Sequence, residues 1–177
     1  MFGLVLAGVV LLTVGGAQAE FITNGDFEDG LNGWYNEGYV WATVSNEYVS
    51  ADHSAKITSV WYELSQVLSD LPSNELTLSY YAKDLDSSWP ELYVTIREVT
   101  EPKNGTMLYT YADRPAGGWT YFSHTFTLPA EVTDVIVSFQ WTRWGNQVYM
   151  DNVSLTPEPA TIGLLAVGGL AILRRKR

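Results

Sequence analysis

Between residues 40 and 155 the chain breaks into short β-rich runs, and no stretch of it holds a helical period. The runs are 40–44, 55–60, 62–68, 75–82, 91–99, 107–111, 120–128, 134–141 and 147–155. Turn chemistry separates them: Asp70-Leu71-Pro72-Ser73-Asn74, Asp86-Ser87-Ser88-Trp89-Pro90, Lys103-Asn104-Gly105 and Arg114-Pro115-Ala116-Gly117-Gly118. Glycine and proline there supply backbone angles that a strand interior cannot use. Short strands at this spacing predict an all-β fold, a β-sandwich or jelly roll.

Successive strand residues point to opposite faces, so each run divides into a core set and an outward set. Leu76, Leu78 and Tyr80 share one face, Thr77, Ser79 and Tyr81 the other. Leu92, Val94 and Ile96 are expected in the core, with Tyr93, Thr95 and Arg97 outside. Val135, Val137 and Phe139 are core, and Ile136, Ser138 and Gln140 lie opposite. One outer surface is therefore expected to carry Tyr81, Tyr93, Arg97 and Gln140. Rings of that kind stack on the C–H faces of sugars, while amides and guanidinium groups take hydroxyls.

Composition excludes other classes. Residues 20–156 hold 19 acidic and 6 basic side chains, which argues against nucleic acid, whose binding needs clustered cations. Cysteine is absent, so an exported domain of this kind relies on its core or on a metal. Only His53 and His124 are present, which disfavours zinc, and His124 reads as a structural strand residue. No Gly-x-Ser-x-Gly elbow, His-Glu-x-x-His or phosphate loop occurs, and chance acid pairs such as Glu63 with Glu91 do not make a glycosidase. We therefore expect no enzyme.

Both ends read as processing signals. Residues 2–14 are apolar and end in Gly15-Gly16-Ala17-Gln18-Ala19, a small-x-small pattern that predicts signal-peptidase cleavage after Ala19, against an uncleaved N-terminal anchor. No Lys or Arg precedes the apolar run, so the natural start is expected a few residues upstream. At the other end stand Pro157-Glu158-Pro159, an uncharged stretch 160–173, and Arg174-Arg175-Lys176-Arg177. The prolines are expected to stop regular structure and present an accessible backbone. The terminal cations hold that end in the cytoplasm. Fourteen helical residues cover about 21 Å of a roughly 30 Å hydrocarbon core, which suits a temporary anchor. The expected units are thus 1–19, 20–156 and 157–177, with a signal helix before the sandwich and a short membrane helix after it.

This tail resembles the PEP-CTERM sorting signal, through Pro157, Glu158, Pro159, the glycines at 163, 168 and 169, and Arg174 to Arg177. That resemblance implies an exosortase partner, inner-membrane anchoring before processing, and a final place at the cell surface or in the extracellular matrix. A plain, uncut membrane anchor is the alternative. Residues 20–155 resemble carbohydrate-binding modules of families 4, 9 and 22, galactose-binding-like jelly rolls. The matching stretches are Ile22-Thr23-Asn24-Gly25-Asp26-Phe27-Glu28 with Leu31-Asn32-Gly33-Trp34, Tyr62 to Gln66, Leu76 to Lys83, Trp119 to Phe122 with Phe126, and Val148 to Leu155. The resemblance implies a structural calcium ion, with side-chain oxygens from Glu28 and Asp151 and carbonyls from Asp26 and Lys56, against a reading in which the aspartates only cap turns. It also implies that Trp34 and Trp119 pack the core.

Trp61, Trp89, Trp141 and Trp144 lie near strand ends or in loops, where indoles stack on sugars or cover the rim of a sandwich. Trp141-Thr142-Arg143-Trp144 is the most suggestive cluster. The expected ligand set is therefore Trp141, Trp144, Arg143, Tyr81, Tyr93, Arg97 and Gln140, and the expected partner a polysaccharide. A structural matrix or adhesion protein that binds other proteins is the alternative, and a small glycoside hydrolase a third.

Overall fold

The computed structural model describes residues 20–36, 42–58, 63–72, 75–85, 91–99, 105–142 and 147–158. The two terminal helices expected from sequence lie outside these residues. Among the described residues no helix is long and apolar enough to cross a membrane. The described residues form ten strands: β1 (Tyr35–Asn36), β2 (Ala42–Ser45), β3 (Ser54–Ile57), β4 (Glu63–Leu68), β5 (Glu75–Asp84), β6 (Leu92–Glu98), β7 (Met107–Asp113), β8 (Thr120–Thr127), β9 (Val135–Trp141) and β10 (Val148–Pro157). They build two five-stranded sheets, β1-β4-β9-β6-β7 and β2-β3-β10-β5-β8. All pairings are antiparallel. The fold is a jelly-roll sandwich.

Strand parity places the core as the alternation requires. Along β5 every second residue is buried, from Leu76 through Leu78, Tyr80 and Ala82 to Asp84. Leu92, Val94 and Ile96 on β6 meet Val137, Phe139 and Trp141 on β9 across the ladder. Each strand expected from sequence is present within a few residues. One observed strand was not expected: β1 is two residues long and too short to carry a periodic signal.

The N-terminal segment is held by its polar side chains. The Asn24 amide donates to the carbonyls of Gly30 and Asn32, both at 3.0 Å, and its oxygen accepts from the N–H of Asp29. This fixes the loop that drops Phe27 into the core, against Trp34 with centroids 5.3 Å apart. The Trp34 indole N–H donates to the Asn24 carbonyl at 3.0 Å. Trp34 is therefore structural, as expected. Trp119 is only half-buried, because it sits in the loop before β8 and not within a strand.

Two sheet edges meet at β7 and β8. Asp113 accepts from the Tyr80 hydroxyl and lies 2.6 Å from His124 Nε2. Burial and the Asp113 charge together push the Tyr80 phenol pKa up. The His124 ring stacks on Tyr111 at 3.9 Å. These contacts tie one sheet to the other and make His124 a structural residue.

One correction concerns the prolines. β10 runs through Pro157, which stands opposite Leu76, and the N–H of Glu158 donates to the Glu75 carbonyl at 2.9 Å. A proline is tolerated here because Glu158 and Glu75 form the hydrogen-bonded pair, so Pro157 sits in a non-hydrogen-bonded pair and its missing donor costs no bond to β5. Its backbone is extended but paired.

Gly25 is the tightest point of the closure. Its carbonyl accepts from the Val153 N–H at 2.9 Å, and a Cβ there would stand 1.9 Å from the Val153 carbonyl oxygen. Gly25→Ala is expected to destabilise the domain by about 3 kcal/mol, since neither backbone can retreat. Urea unfolding of residues 20–158 measures it.

Candidate functional site

The outer face of the β1-β4-β9-β6-β7 sheet gathers three of the residues expected to bind. Gln140 on β9 stands between Tyr93 on β6 and Glu63 on β4. One row along, Ser138 lies between Thr95 and Ser65, with Tyr35 of β1 opposite Ser65. In the third row Arg97 is paired with Ile136. All these residues share one parity and point away from the core.

The centre of this face is sheltered. Ser138 is 1% exposed although it faces outward. Its hydroxyl lies 2.6 Å from that of Thr95, and the Arg97 guanidinium reaches it at 3.5 Å. Arg97 then pairs with Glu63 across β9. The ion pair thus lies over a floor of hydroxyl groups, half-buried and bounded by Tyr93 and Tyr35. Tyr35 is 52% exposed. Sequence reading missed it along with β1; the available signal was its alternation with the core residue Trp34.

At one end of the face, Glu91 accepts from Arg114 Nη2 at 2.6 Å and Nε at 3.1 Å. Arg114 and the Tyr93 hydroxyl hold the Glu91 carboxyl below the ordinary 4.5. The same carboxylate raises the Tyr93 phenol. Thr142 staples the Glu91 backbone from both sides, donating to its carbonyl at 2.8 Å and accepting its N–H at 3.1 Å.

Two expected ligand residues lie elsewhere. Tyr81 is on β5, in the other sheet, where it packs against Tyr121 at 5.2 Å on that sheet's outer face. The shared surface expected for Tyr81 and Tyr93 does not exist, because their strands belong to different sheets. Trp141 is fully buried, since it is the last inward residue of β9 and continues the line of Val137 and Phe139. Arg143 and Trp144 lie outside the described residues, as do Trp61 and Trp89.

The residues expected to hold a metal sit where the N-terminal segment meets β10. Asp151 is fully buried, and its carboxylate accepts from the N–H groups of Val49 at 2.7 Å, Ser50 at 3.0 Å and Asn152 at 2.7 Å. Asn152 adopts a left-handed φ of 51° in the bulge that follows. Glu28 accepts from the N–H groups of Asp52 at 2.9 Å and His53 at 2.8 Å, and the first of these leads in holding its pKa down. Desolvation raises the Asp151 pKa, and the nearby Glu28 charge adds to that rise. Asp26 Oδ1 accepts from the Glu28 N–H at 3.4 Å. Lys56 lies within the ladder between Thr43 and Tyr149. Among the described residues no group of three or more Asp, Glu, His or Cys side chains converges on one point. The two carboxylates are of the right chemistry for a hard cation, with carbonyls needed to complete its shell.

With this geometry in view, comparison with known proteins separates tail from domain. Residues 155–177 match the PEP-CTERM protein-sorting motif, a signal for export and membrane-anchored sorting. No curated protein matches the chain by sequence. Among solved structures the chain is similar to a CBM4 structure, at 23% identity and a TM-score of 0.60, over 77% of this chain and 99% of that one. A family 16 carbohydrate-binding module matches at 19% and 0.63, over 77% and 99%. The CBM22-1 xylan-binding domain of Paenibacillus barcinonensis Xyn10C matches at 19% and 0.62, over 80% and 96%. At these identities the likeness establishes the jelly-roll fold.

Arg114→Gln is expected to move the Glu91 carboxyl titration upward, toward 4.5. Because the folded-state value lies below the unfolded one, the stabilisation from Glu91 is present at neutral pH and fades as pH falls through that folded value. Carbon-detected NMR of the glutamate carboxyls follows the shift.

Proposed function

We propose that this protein is an exported, non-catalytic polysaccharide-binding module, sorted to the cell surface or extracellular matrix, and that the outer face of the β1-β4-β9-β6-β7 sheet receives the glycan. One observation carries the reading: Tyr93, Arg97 and Gln140 share that face with a sheltered hydroxyl floor and the exposed ring of Tyr35. Rings supply stacking area, and the amide and guanidinium orient hydroxyls. Arg143 and Trp144 follow β9 directly and belong to the proposed set by sequence position.

The charge balance selects the ligand class. With 19 acidic against 6 basic residues in 20–156, a polyanionic chain would be repelled at low ionic strength. The Arg97 charge is already matched by Glu63. A neutral polysaccharide suits this face. Catalysis does not suit it: a glycosidase acid needs a raised pKa, whereas Glu91 is held low by Arg114. The sorting tail supports processing by an exosortase after signal-peptidase cleavage.

The reading includes a structural calcium ion, held by the carboxylates of Glu28 and Asp151 with carbonyls of Asp26 and Lys56. A carbonyl oxygen has two lone pairs, so the Lys56 carbonyl can serve ladder and metal together. Raised pKa means that ionised Asp151 costs stability at neutral pH, a cost relieved as pH falls through the folded-state value. A cation between the carboxylates would relieve it at neutral pH.

Two measurements test the reading. In affinity gels cast with a panel of neutral and acidic polysaccharides, the wild-type domain is expected to be retarded by a neutral polymer. Tyr93→Ala should weaken retention at least tenfold, while Tyr121→Ala, on the opposite sheet, leaves it unchanged. No retardation by any polymer would favour a protein-binding matrix role instead. Calcium in hundredfold excess over its Kd should raise the melting temperature by roughly 5–10 °C, and Asp151→Asn should remove the response. An unchanged wild-type melt with and without chelator removes the metal from the account.

A further inference from the structure

We propose that the folded domain shields its own sorting motif: the end of β10 is a latch that clamps Pro157 and Glu158 against β5, and a processing enzyme reaches them only when that end frays. The inference rests on the sorting-signal reading and adds a gate to it. The matched motif begins at residue 155, yet β10 continues to Pro157. Three residues of the motif are therefore sheet.

The clamp has two sides. On one, Leu155, Thr156 and Pro157 pair with Leu78, Thr77 and Leu76 of β5. The Glu158 N–H donates to the Glu75 carbonyl at 2.9 Å. The Thr77 hydroxyl donates to the Glu158 carboxylate and lies 3.0 Å from the Thr125 hydroxyl on β8. On the other side, the Leu155 carbonyl accepts from the Phe21 N–H at 3.0 Å, and the Leu155 N–H donates to the Glu20 carboxylate at 2.8 Å. Enzymes that act on a peptide segment commonly bind it as an added strand through its backbone groups. Here β5 on one side and residues 20 and 21 on the other already hold much of that backbone.

Distance tightens the restriction. The apolar stretch starts at Ala160, two residues beyond Glu158. Two extended residues span at most about 7 Å, which is about the thickness of one headgroup layer. With 160–173 in the bilayer, the latched domain stands against the membrane surface and leaves no gap for an enzyme. Fraying the last residues of β10 opens one.

Hydrogen exchange on the full chain, in membranes of a host without a sorting enzyme, reads the latch directly. The Glu158 amide is expected to exchange at least tenfold more slowly than in a free peptide of residues 153–162. Thr77→Val should remove most of that protection and leave residues 148–151 and the melting temperature unchanged. Free-peptide exchange at Glu158 in the unmodified chain overturns the latch. In a bacterium that processes such signals, pulse-chase labelling reads the gate. Six Gly and Ser residues inserted between Thr156 and Pro157 should shorten the precursor half-life several-fold. Cleavage of both chains with equal half-lives overturns the gate alone, and no cleavage of either chain overturns the sorting reading and the gate with it.

Discussion

The sandwich depends on β10 being held from both sides. β3 pairs with its first residues and β5 with nearly its whole length. The N-terminal segment completes the closure through Phe21, Glu20 and the Gly25–Val153 contact. The final strand therefore joins the two ends of the domain, a long-range pairing whose loop-closure entropy must be repaid by burial. Met150, Val153 and Leu155 supply that burial from β10 itself. Asp151, in the same strand, holds the backbone of Val49 and Ser50, so the loop before β3 hangs on β10 as well.

That closure also sets the orientation of the proposed binding face. β5 begins beside Pro157, and β4 ends where the connection to β5 starts. Glu63, Gln140 and Tyr93 therefore lie toward the end of the sandwich away from the sorting motif, and Val67 and Ile136 toward the motif. A domain anchored by its tail would hold the Tyr93 end outward. The charged groups on this face pair with one another, Arg97 with Glu63 and Glu91 with Arg114. Such pairs add little to stability where they are exposed, but they fix side-chain positions on the proposed binding face.

Much of the fold was legible from residues alone, because period-2 alternation is a local property. Leu92, Val94 and Ile96, and Val135, Val137 and Phe139, are buried as the alternation requires. Asn24, Gly25 and Phe27 were legible as a motif, and their contacts explain it: a side-chain staple, a close backbone approach and a core anchor. The candidate site was legible only in part. Tyr93, Arg97 and Gln140 were expected on one face and share one. Tyr81 was expected with them and is on the other sheet, since parity assigns a face to a strand but not a sheet to it. Trp141 read as a rim aromatic because it ends its run, yet the alternation of β9 carries it into the core.

What the sequence determined by itself is the set of local facts: strand positions, inward and outward residues, the sorting motif at 155–177, and the acid excess that disfavours polyanions. Each follows from chemistry within a few residues or from a sum over all of them. Tertiary structure decided which strands share a sheet, that Arg97 and Glu63 close over Ser138, and that Glu158 is docked on β5. Those relations join residues 34 to 83 positions apart. They depend on how the two sheets divide the strands between them, and that division is settled by burying both inner faces together, which no single run of residues encodes.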